Sequence, residues 1–264
     1  MTLKKALIPC GGKGTRMSSL TKGAAKELLP VAGVPVVLRV MQECAASGAR
    51  EVIIVSAPGK DDLNETVRAA AGRSGMPERV RVVTQENPRG LADAIRLGRE
   101  FMGGDTFGVA LPDNLFLGKE PALAQLFKVH ERTDKNVVVV VELTTANRAW
   151  YGPTAIYPGG LNGDEYVIES IPDKGPHGTT FDLAGANSAF TGLGRYVFLP
   201  EVFSAIDEVE ADLPSGKELD DIPVLQLLLG AGKLTGCRIR GDFLDVGLPA
   251  GYREANERLG RENS

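Results

Sequence analysis

Residues 5–16 read KALIPCGGKGTR, a short apolar run that leads directly into a loop with three glycines in four positions. A run of this length, bounded by turn residues, is typical of a buried strand. Similar valine- and isoleucine-rich runs predict strands at residues 5–9, 51–56, 79–84, 106–111 and 136–143. Their near-continuous apolar content predicts burial on both faces, as in a parallel sheet.

Amphipathic stretches separate these strands and predict helices at residues 36–47, 62–71, 91–102 and 122–132. Gly48 follows the first of them, where a glycine commonly ends a helix. Strands that alternate with helices at this spacing predict βαβ units. The fold class is therefore α/β, an open mixed, mostly parallel sheet with helices on both faces, similar in kind to a Rossmann fold.

The second half of the chain has a different texture, because glycine, proline, asparagine and aspartate become dense between residues 151 and 187. Such residues favour turns and irregular structure. In this half of the chain, short strands are predicted at residues 154–157, 166–171 and 191–198. Helical patterns return at residues 200–209, 222–230 and 249–259.

Composition excludes several classes of protein. The 264 residues carry a net charge of −4 without a basic block, which argues against a sequence-independent nucleic-acid binder. The longest apolar run, residues 137–141, is far short of the roughly 18 residues that span a bilayer, so no membrane partner is expected. Three scattered cysteines fit a reducing compartment, and we expect a cytoplasmic protein.

The loop after the first strand has the composition of a phosphate-binding loop. Gly11, Gly12 and Gly14 allow close approach of the backbone, and Lys13 and Arg16 add positive charge. The loop matches neither the Walker A pattern nor the dinucleotide fingerprint, because a methionine replaces the third glycine of the latter. The same glycines would also serve a plain turn, so the loop alone leaves both readings open.

Two aspartates stand where a divalent cation could be held. Asp113 directly follows the predicted strand at 106–111, and Asp245 is a single acid within the apolar run FLDVG. An unpaired carboxylate is costly to bury, so Asp245 is expected to face a site or a metal. Mg²⁺ takes one or two protein carboxylates together with substrate phosphates. The two residues therefore predict a Mg²⁺ site, although Asp113 alone would equally suit a turn.

Two further residues are candidates for substrate contacts. Lys26 begins the segment KELLP, ten residues after Arg16, although most lysines are simply solvated. Gln85 ends a predicted strand and offers one acceptor and two donors, which match the imide edge of a pyrimidine. Gly90, five residues later, allows close backbone approach, and a helix-capping loop is the alternative for this segment.

The segments GGKGTRM at 11–17 and KELLPVAGVPVV at 26–37 together resemble the opening signature of sugar-1-phosphate nucleotidyltransferases. The spacing from Arg16 to Lys26 is most similar to the branch that makes UDP-glucose and pyrophosphate from UTP and glucose 1-phosphate. The resemblance implies the nucleotide-diphospho-sugar transferase fold and a homo-oligomer, a dimer or tetramer. It also implies a single domain over residues 1–264, with a nucleotide-binding half (1–145) and a half that binds the sugar and completes the metal site (146–264).

Roles for individual residues also follow from the resemblance. It implies that Arg16 and Lys26 are catalytic and that Asp113 and Asp245 bind Mg²⁺. Implied nucleotide contacts are Gly11, Gly12, Gly14, Thr15, Glu27, Gln85 and Gly90. Implied contacts to the sugar phosphate are Gly152, Asp173, Lys174 and Thr191. Asp173 stands where the family has glutamate, and an alternative register would use the segment from Gly194 to Val197 instead of Thr191.

Three other functions remain for comparison. A glucose-1-phosphate thymidylyltransferase, which uses dTTP, would share almost every motif. A non-catalytic regulator that binds nucleotide sugars would have little reason to keep Arg16, Lys26 and both aspartates together. A dehydrogenase is disfavoured because the fingerprint glycine is missing.

Overall fold

The computed structural model describes residues 2–12, 17, 21, 23–143, 155–173 and 189–262. The strands of this part are β1 (Lys5–Pro9), β2 (Pro30–Val31), β3 (Val34–Pro35), β4 (Glu51–Ser56), β5 (Arg79–Thr84), β6 (Phe107–Ala110), β7 (Asn114–Leu117), β8 (Asn136–Leu143), β9 (Tyr157–Asn162), β10 (Glu165–Ser170), β11 (Ala189–Thr191), β12 (Arg195–Phe198), β13 (Leu234–Arg238) and β14 (Asp242–Asp245). The α-helices are α1 (Val36–Ala46), α2 (Asp61–Ala70), α3 (Leu91–Arg96), α4 (Arg99–Met102), α5 (Ala122–Thr133), α6 (Val202–Ala211), α7 (Asp221–Gly230) and α8 (Pro249–Glu262).

One large sheet organises the molecule, with the strand order β5-β4-β1-β6-β12-β8-β13-β10-β9, and β11 pairs with β8. The strands β5, β4, β1 and β6 are mutually parallel. β12 runs antiparallel to β6, whereas β8 and β13 have the same direction as β6. β10 and β11 are antiparallel to their neighbours β13 and β8. The prediction of an open, mixed, mostly parallel sheet is confirmed.

Helices cover both faces of this sheet, as the alternation of side chains along β4 shows. Ile53 and Val55 pack in a core shared with α3, α6 and α7. Val52 and Ile54 point the other way, into a core shared with α1, α2 and α5. Successive side chains of a strand leave on opposite faces, so an uninterrupted apolar strand holds both layers at once.

Several predicted elements differ in detail. The predicted helix at 91–102 is divided into α3 and α4, and Gly98 lies between them. A Cβ on Gly98 would lie 2.4 Å from the Leu7 side chain, which shows how closely this turn packs on β1. The predicted strand at 191–198 is interrupted at Gly194, whose φ is +50°.

Two strand predictions need correction, and some short strands were not predicted. β5 lies at the edge of the sheet and contains no fully buried residue, so the prediction of burial on both faces was wrong there. In the region predicted as a strand at 154–157, the described residues enter a strand only at Tyr157. The short strands β7 and β13 were not predicted, because four or five residues around a turn carry little periodicity.

A two-stranded ribbon outside the large sheet joins the two halves of the chain. β14 pairs antiparallel with β7, and this pairing sets Asp245 opposite Asn114. The ribbon packs under α8 through a small apolar core that includes Leu115, Leu244 and Ala255. It therefore carries Asp245, from late in the sequence, to the carboxyl end of β6. Within the described residues, no helix has the length and apolar character to cross a membrane.

Candidate functional site

A cleft of about 550 Å³ opens at the carboxyl ends of β1, β5 and β6. Ligands of open α/β sheets collect at this edge, because the loops that leave the strands converge there. The cleft is lined by seven of the residues singled out from the sequence, namely Gly11, Gly12, Lys26, Gln85, Gly90, Asp113 and Asp245. Residues separated by more than 200 positions in the sequence thus line the same cleft.

Lys26 and Asp113 form a close ion pair within the cleft. The Lys26 Nζ donates to Asp113 Oδ2 at 2.6 Å, and the two side chains are 18% and 21% exposed. Burial acts to lower the pKa of Lys26, but Asp113, Glu27 and Asp245 outweigh it and raise that pKa. Burial likewise acts to raise the pKa of Asp113, but the charge and hydrogen bond of Lys26 lower it. Both groups are therefore held in their charged forms.

Asp113 and Asp245 converge on Gly247. A Cβ built on Gly247 would lie 2.9 Å from Asp245 Oδ1 and 3.2 Å from Asp113 Oδ2. The two oxygens are therefore at most about 6 Å apart, the sum of those distances. The backbone holds the arrangement, because Val246 N donates to the Asp113 carbonyl at 2.7 Å and Gly247 N donates to Asp245 Oδ1 at 2.9 Å.

The donor set suits a hard cation that also binds phosphate. Two converging carboxylates offer the oxygen ligands that Mg²⁺ prefers. Within the described ranges no group of three or more histidine, cysteine, aspartate or glutamate residues could hold a metal. A Mg²⁺ ion at this point would therefore complete its coordination with water and substrate oxygens, which is its usual habit at phosphate-transfer sites.

Lys60, which the sequence analysis missed, supports the start of the glycine-rich loop. Its Nζ donates to the carbonyl oxygens of Cys10 at 2.5 Å and Gly12 at 2.9 Å. The same ammonium group pairs with the carboxylate of Glu27 at 3.1 Å. Glu27 is 2% exposed, so the structure makes it a support for the loop, and its implied contact with nucleotide stays a prediction. No local motif marks Lys60, because its partners lie 33 to 50 residues away.

We expect the substitution Lys60→Met to lower the free energy of unfolding by about 2–3 kcal/mol, because it leaves the Glu27 carboxylate buried without its cation. The double variant Lys60→Met/Glu27→Gln should recover part of this loss, since no charge is then stranded. Urea unfolding of the three proteins measures both quantities. Equal stability of Lys60→Met and the unmodified chain would show that the ion pair does not support the loop.

Gln85, next to the glycine-rich loop, is 4% exposed. Its Nε2 donates to Asp93 Oδ2 at 2.7 Å and lies 3.4 Å from the Gly90 carbonyl oxygen. Its Oε1 would be 2.5 Å from a Cβ at position 11, so a larger residue there would displace the Gln85 amide. Gly90 has φ +115°, and a Cβ on it would lie 2.3 Å from the Leu219 carbonyl oxygen. Glycine is therefore required at position 90 by its backbone conformation and by contact with another backbone segment.

Residues from the second half of the chain also line the cleft. Gly192, Gly194 and Tyr196 line it, and the Tyr196 hydroxyl donates to Asp221 Oδ2 at 2.6 Å. Burial raises the pKa of Tyr196 well above its ordinary value, and the neighbouring Asp221 raises it further. The hydroxyl therefore stays protonated and donates to the carboxylate.

The residues implied at the sugar phosphate occupy different environments. Thr191 is fully buried and its hydroxyl lies 3.3 Å from the Gly192 carbonyl oxygen. Asp173 is exposed and accepts a hydrogen bond from Gln226 at 3.1 Å. Arg195, from the alternative register, is fully buried in an ion pair with Glu43 and supports the fold. The remaining predicted site residues, Gly14, Thr15, Arg16, Gly152 and Lys174, lie outside the described residues.

The sequence matches the profile of the nucleotidyl transferase family over residues 5–262, and the chain belongs to this family. By sequence and by fold, the chain is thus a sugar-1-phosphate nucleotidyltransferase.

The chain is similar to individual proteins of this family and to solved structures. A protein of Bacillus subtilis (strain 168), provisionally named UTP–glucose-1-phosphate uridylyltransferase, is 31% identical over 95% of this chain and 94% of its own length. A crystal structure of UDP-glucose pyrophosphorylase complexed with UDP-glucose has a TM-score of 0.83 and 23% identity, covering 99% of this chain and 100% of that one. A Bacillus anthracis structure, provisionally named glucose-1-phosphate thymidylyltransferase and in complex with a sucrose, has a TM-score of 0.78 and 21% identity, covering 98% of this chain and 96% of that one.

Proposed function

We propose that this chain makes UDP-glucose and pyrophosphate from UTP and glucose 1-phosphate. The observation that carries the proposal is the convergence of Lys26, Asp113 and Asp245 in the cleft that also contains Gln85. Cationic and carboxylate groups thus line the same cleft as an amide that could meet a base. The names of the curated relatives support UTP and glucose 1-phosphate as the substrates.

The reaction requires no nucleophile from the protein. A phosphate oxygen of glucose 1-phosphate forms a bond to the α-phosphorus of UTP, and the bond between that phosphorus and the bridging oxygen to the β-phosphate breaks, which releases pyrophosphate. Positioning and charge stabilisation account for most of the catalysis of phosphoryl-group transfers. The ammonium of Lys26 would hold the α-phosphate and the incoming phosphate together, and Arg16 would bind the leaving pyrophosphate.

Asp113 and Asp245 would hold Mg²⁺, which when bound supplies positive charge to the phosphate oxygens. Gly11, Gly12 and Gly14 would present backbone N–H groups to the nucleotide. The Gln85 Oε1 would accept a hydrogen bond from N3–H of uracil. Each assignment uses a group whose chemistry suits its proposed partner.

A thymidylyltransferase is the second candidate, because Gln85 meets an edge that uracil and thymine share. The Bacillus anthracis neighbour carries that name and has nearly the same fold. A direct comparison of UTP with dTTP at equal concentration separates the two functions. A non-catalytic regulator would release no pyrophosphate with either nucleotide.

We expect a substrate matrix of nucleotides and hexose 1-phosphates to show release of pyrophosphate with UTP or dTTP at least about tenfold faster than with ATP or GTP. The reason is that the groups of a hydrogen-bonding site stay unpaired when the wrong base binds. A coupled pyrophosphate assay gives the rates, and a reaction without sugar phosphate gives the background. Preference for a purine would overturn the assignment of the base, and no release with any pair would overturn the proposed activity.

A further inference from the structure

The orientation of the Gln85 amide is set by its surroundings. An amide has a donor end and an acceptor end of nearly the same shape, so its neighbours decide which end faces a ligand. The carboxylate of Asp93 and the carbonyl of Gly90 are both acceptors, and both face Nε2. The acceptor Oε1 is therefore the atom that turns towards Gly11 on the wall of the cleft.

Asp93 is itself held in place as an acceptor. It is 4% exposed, and its Oδ1 pairs with Arg96 at 2.7 Å and lies 3.8 Å from Arg89. Both guanidinium groups are donors only, so the Asp93 carboxylate meets them as an acceptor. Oδ2 is thereby left to the Gln85 amide, and α3 carries the residue to this point behind the cleft wall.

We propose that Asp93 is a positioning residue that makes this cleft select uracil or thymine over cytosine, an inference that rests on the proposed function. Uracil and thymine carry a donor at N3, which meets Gln85 Oε1. Cytosine carries a lone pair at N3, which would face that oxygen without a proton between them. To accept cytosine the amide must turn over, and its oxygen would then face the Asp93 carboxylate.

The cost of turning the amide comes from Asp93 rather than from the base. A reversed amide loses its hydrogen bond to Oδ2 and brings two acceptors within hydrogen-bond distance inside the protein. Asparagine at position 93 removes this constraint, because its own amide can donate to Gln85 Oε1 or accept from Nε2. The substitution preserves the size of the side chain while both orientations of Gln85 become available.

The test is the ratio of kcat/KM for UTP to that for CTP, with glucose 1-phosphate as the second substrate. We expect the unmodified chain to favour UTP by at least about tenfold and the variant Asp93→Asn to lose most of that preference. The gain should lie in a lower KM for CTP, because the substitution acts on the amide that meets the base and not on the groups proposed to bind the phosphates. Asp93→Ala, which also removes the acceptor, should lower the ratio as well.

Asp207→Asn is the matched control, because Asp207 also pairs with an arginine at 2.7 Å, that of Arg99, but is about half exposed and lies outside the cleft. Its ratio should equal that of the unmodified chain. Equal use of UTP and CTP by the unmodified chain overturns the inference without any variant. An unchanged ratio in folded Asp93→Asn also overturns it, and the proposed function survives if UTP is still preferred over ATP and GTP.

A last variant separates the two proposals. Gln85→Ala removes the group that reads the base, so its preference for UTP over purines should fall if the proposed function is right. If Gln85→Ala loses that preference and Asp93→Asn keeps the ratio of UTP to CTP, only the role of Asp93 is wrong. If neither variant changes any preference, the base is recognised elsewhere and both proposals about it fail.

Discussion

Replacement of Lys26 by alanine is expected to lower kcat for pyrophosphate release by about a hundredfold to a thousandfold. The size of the effect is that of removing one preorganised charged donor from a site of charge development. Lys26 is held in its charged form within 2.6 Å of Asp113, and Asp245 raises its pKa further. Its charge is therefore present before substrate binds.

The loss should appear in kcat more than in KM, because the interaction strengthens as charge develops between the two phosphates. Asp245→Ala should have an effect of similar size, since it removes one of the two carboxylates that converge at Gly247. Single-turnover measurements at saturating UTP and Mg²⁺ give the chemical rate, and circular dichroism shows whether each variant is folded.

Lys233→Ala provides the matched control for the lysine. Lys233 also pairs with a carboxylate at 2.7 Å, that of Glu201, but it is about half exposed and lies outside the cleft. Its kcat should equal that of the unmodified chain. A folded Lys26→Ala protein with near-normal turnover would remove Lys26 from the chemistry, and the same result for Asp245→Ala would remove the carboxylate pair.

The sequence predicted the sheet well because its central strands are continuous apolar runs. Residues 51–56 and 136–143 are strands with the predicted bounds. The edge strand β5 (RVRVVT) is also rich in valine, but arginines at positions 79 and 81 alternate with its valines and the strand contains no fully buried residue. Its position at the edge of the sheet depends on the order of the strands, which one strand alone does not predict.

Some residues of the candidate site could be predicted from the sequence, and others could not. Residues that follow strands, such as Gln85 and Asp113, were found because the carboxyl edge of an α/β sheet is a known place for ligands. Lys60 and Asp93 were missed because their importance comes from partners, not from motifs. In the sequence Asp93 resembles any acidic residue of a helix, and only the fold shows that it accepts a hydrogen bond from the Gln85 amide.

Arg195 shows why the sequence left two registers open at the sugar end. The segment from Gly194 to Val197 has the composition of a binding motif, but among the described residues Arg195 is the largest fully buried side chain. Its Nε and Nη2 donate to the two oxygens of Glu43 at 3.0 and 2.7 Å. Its Nη1 donates to the carbonyl oxygens of Leu111 and Gly194. The arginine thus joins α1 to the segments that flank Asp113.

We expect Arg195→Met to lower the free energy of unfolding by about 3–5 kcal/mol, because it leaves the Glu43 carboxylate in the interior without a cation. The double variant Arg195→Met/Glu43→Leu should regain at least about 1 kcal/mol of that loss, since an apolar pair of similar volume strands no charge. Urea unfolding measures each free energy. The recovery is expected to be incomplete, because the Leu111 carbonyl still lacks the donor that Arg195 supplied.

Arg50→Met is the control for the loss of an arginine in an ion pair. Arg50 lies 3.7 Å from Glu78 with both side chains more than half exposed, so its loss should change stability by less than about 1 kcal/mol. The alternative register makes the opposite prediction for Arg195. If Arg195 bound the sugar phosphate, Arg195→Met would raise KM for glucose 1-phosphate and leave the unfolding curve in place. If Arg195 instead joins α1 to the segment before Asp113, the substitution lowers the free energy of unfolding. Any loss of turnover then follows from displacement of Asp113.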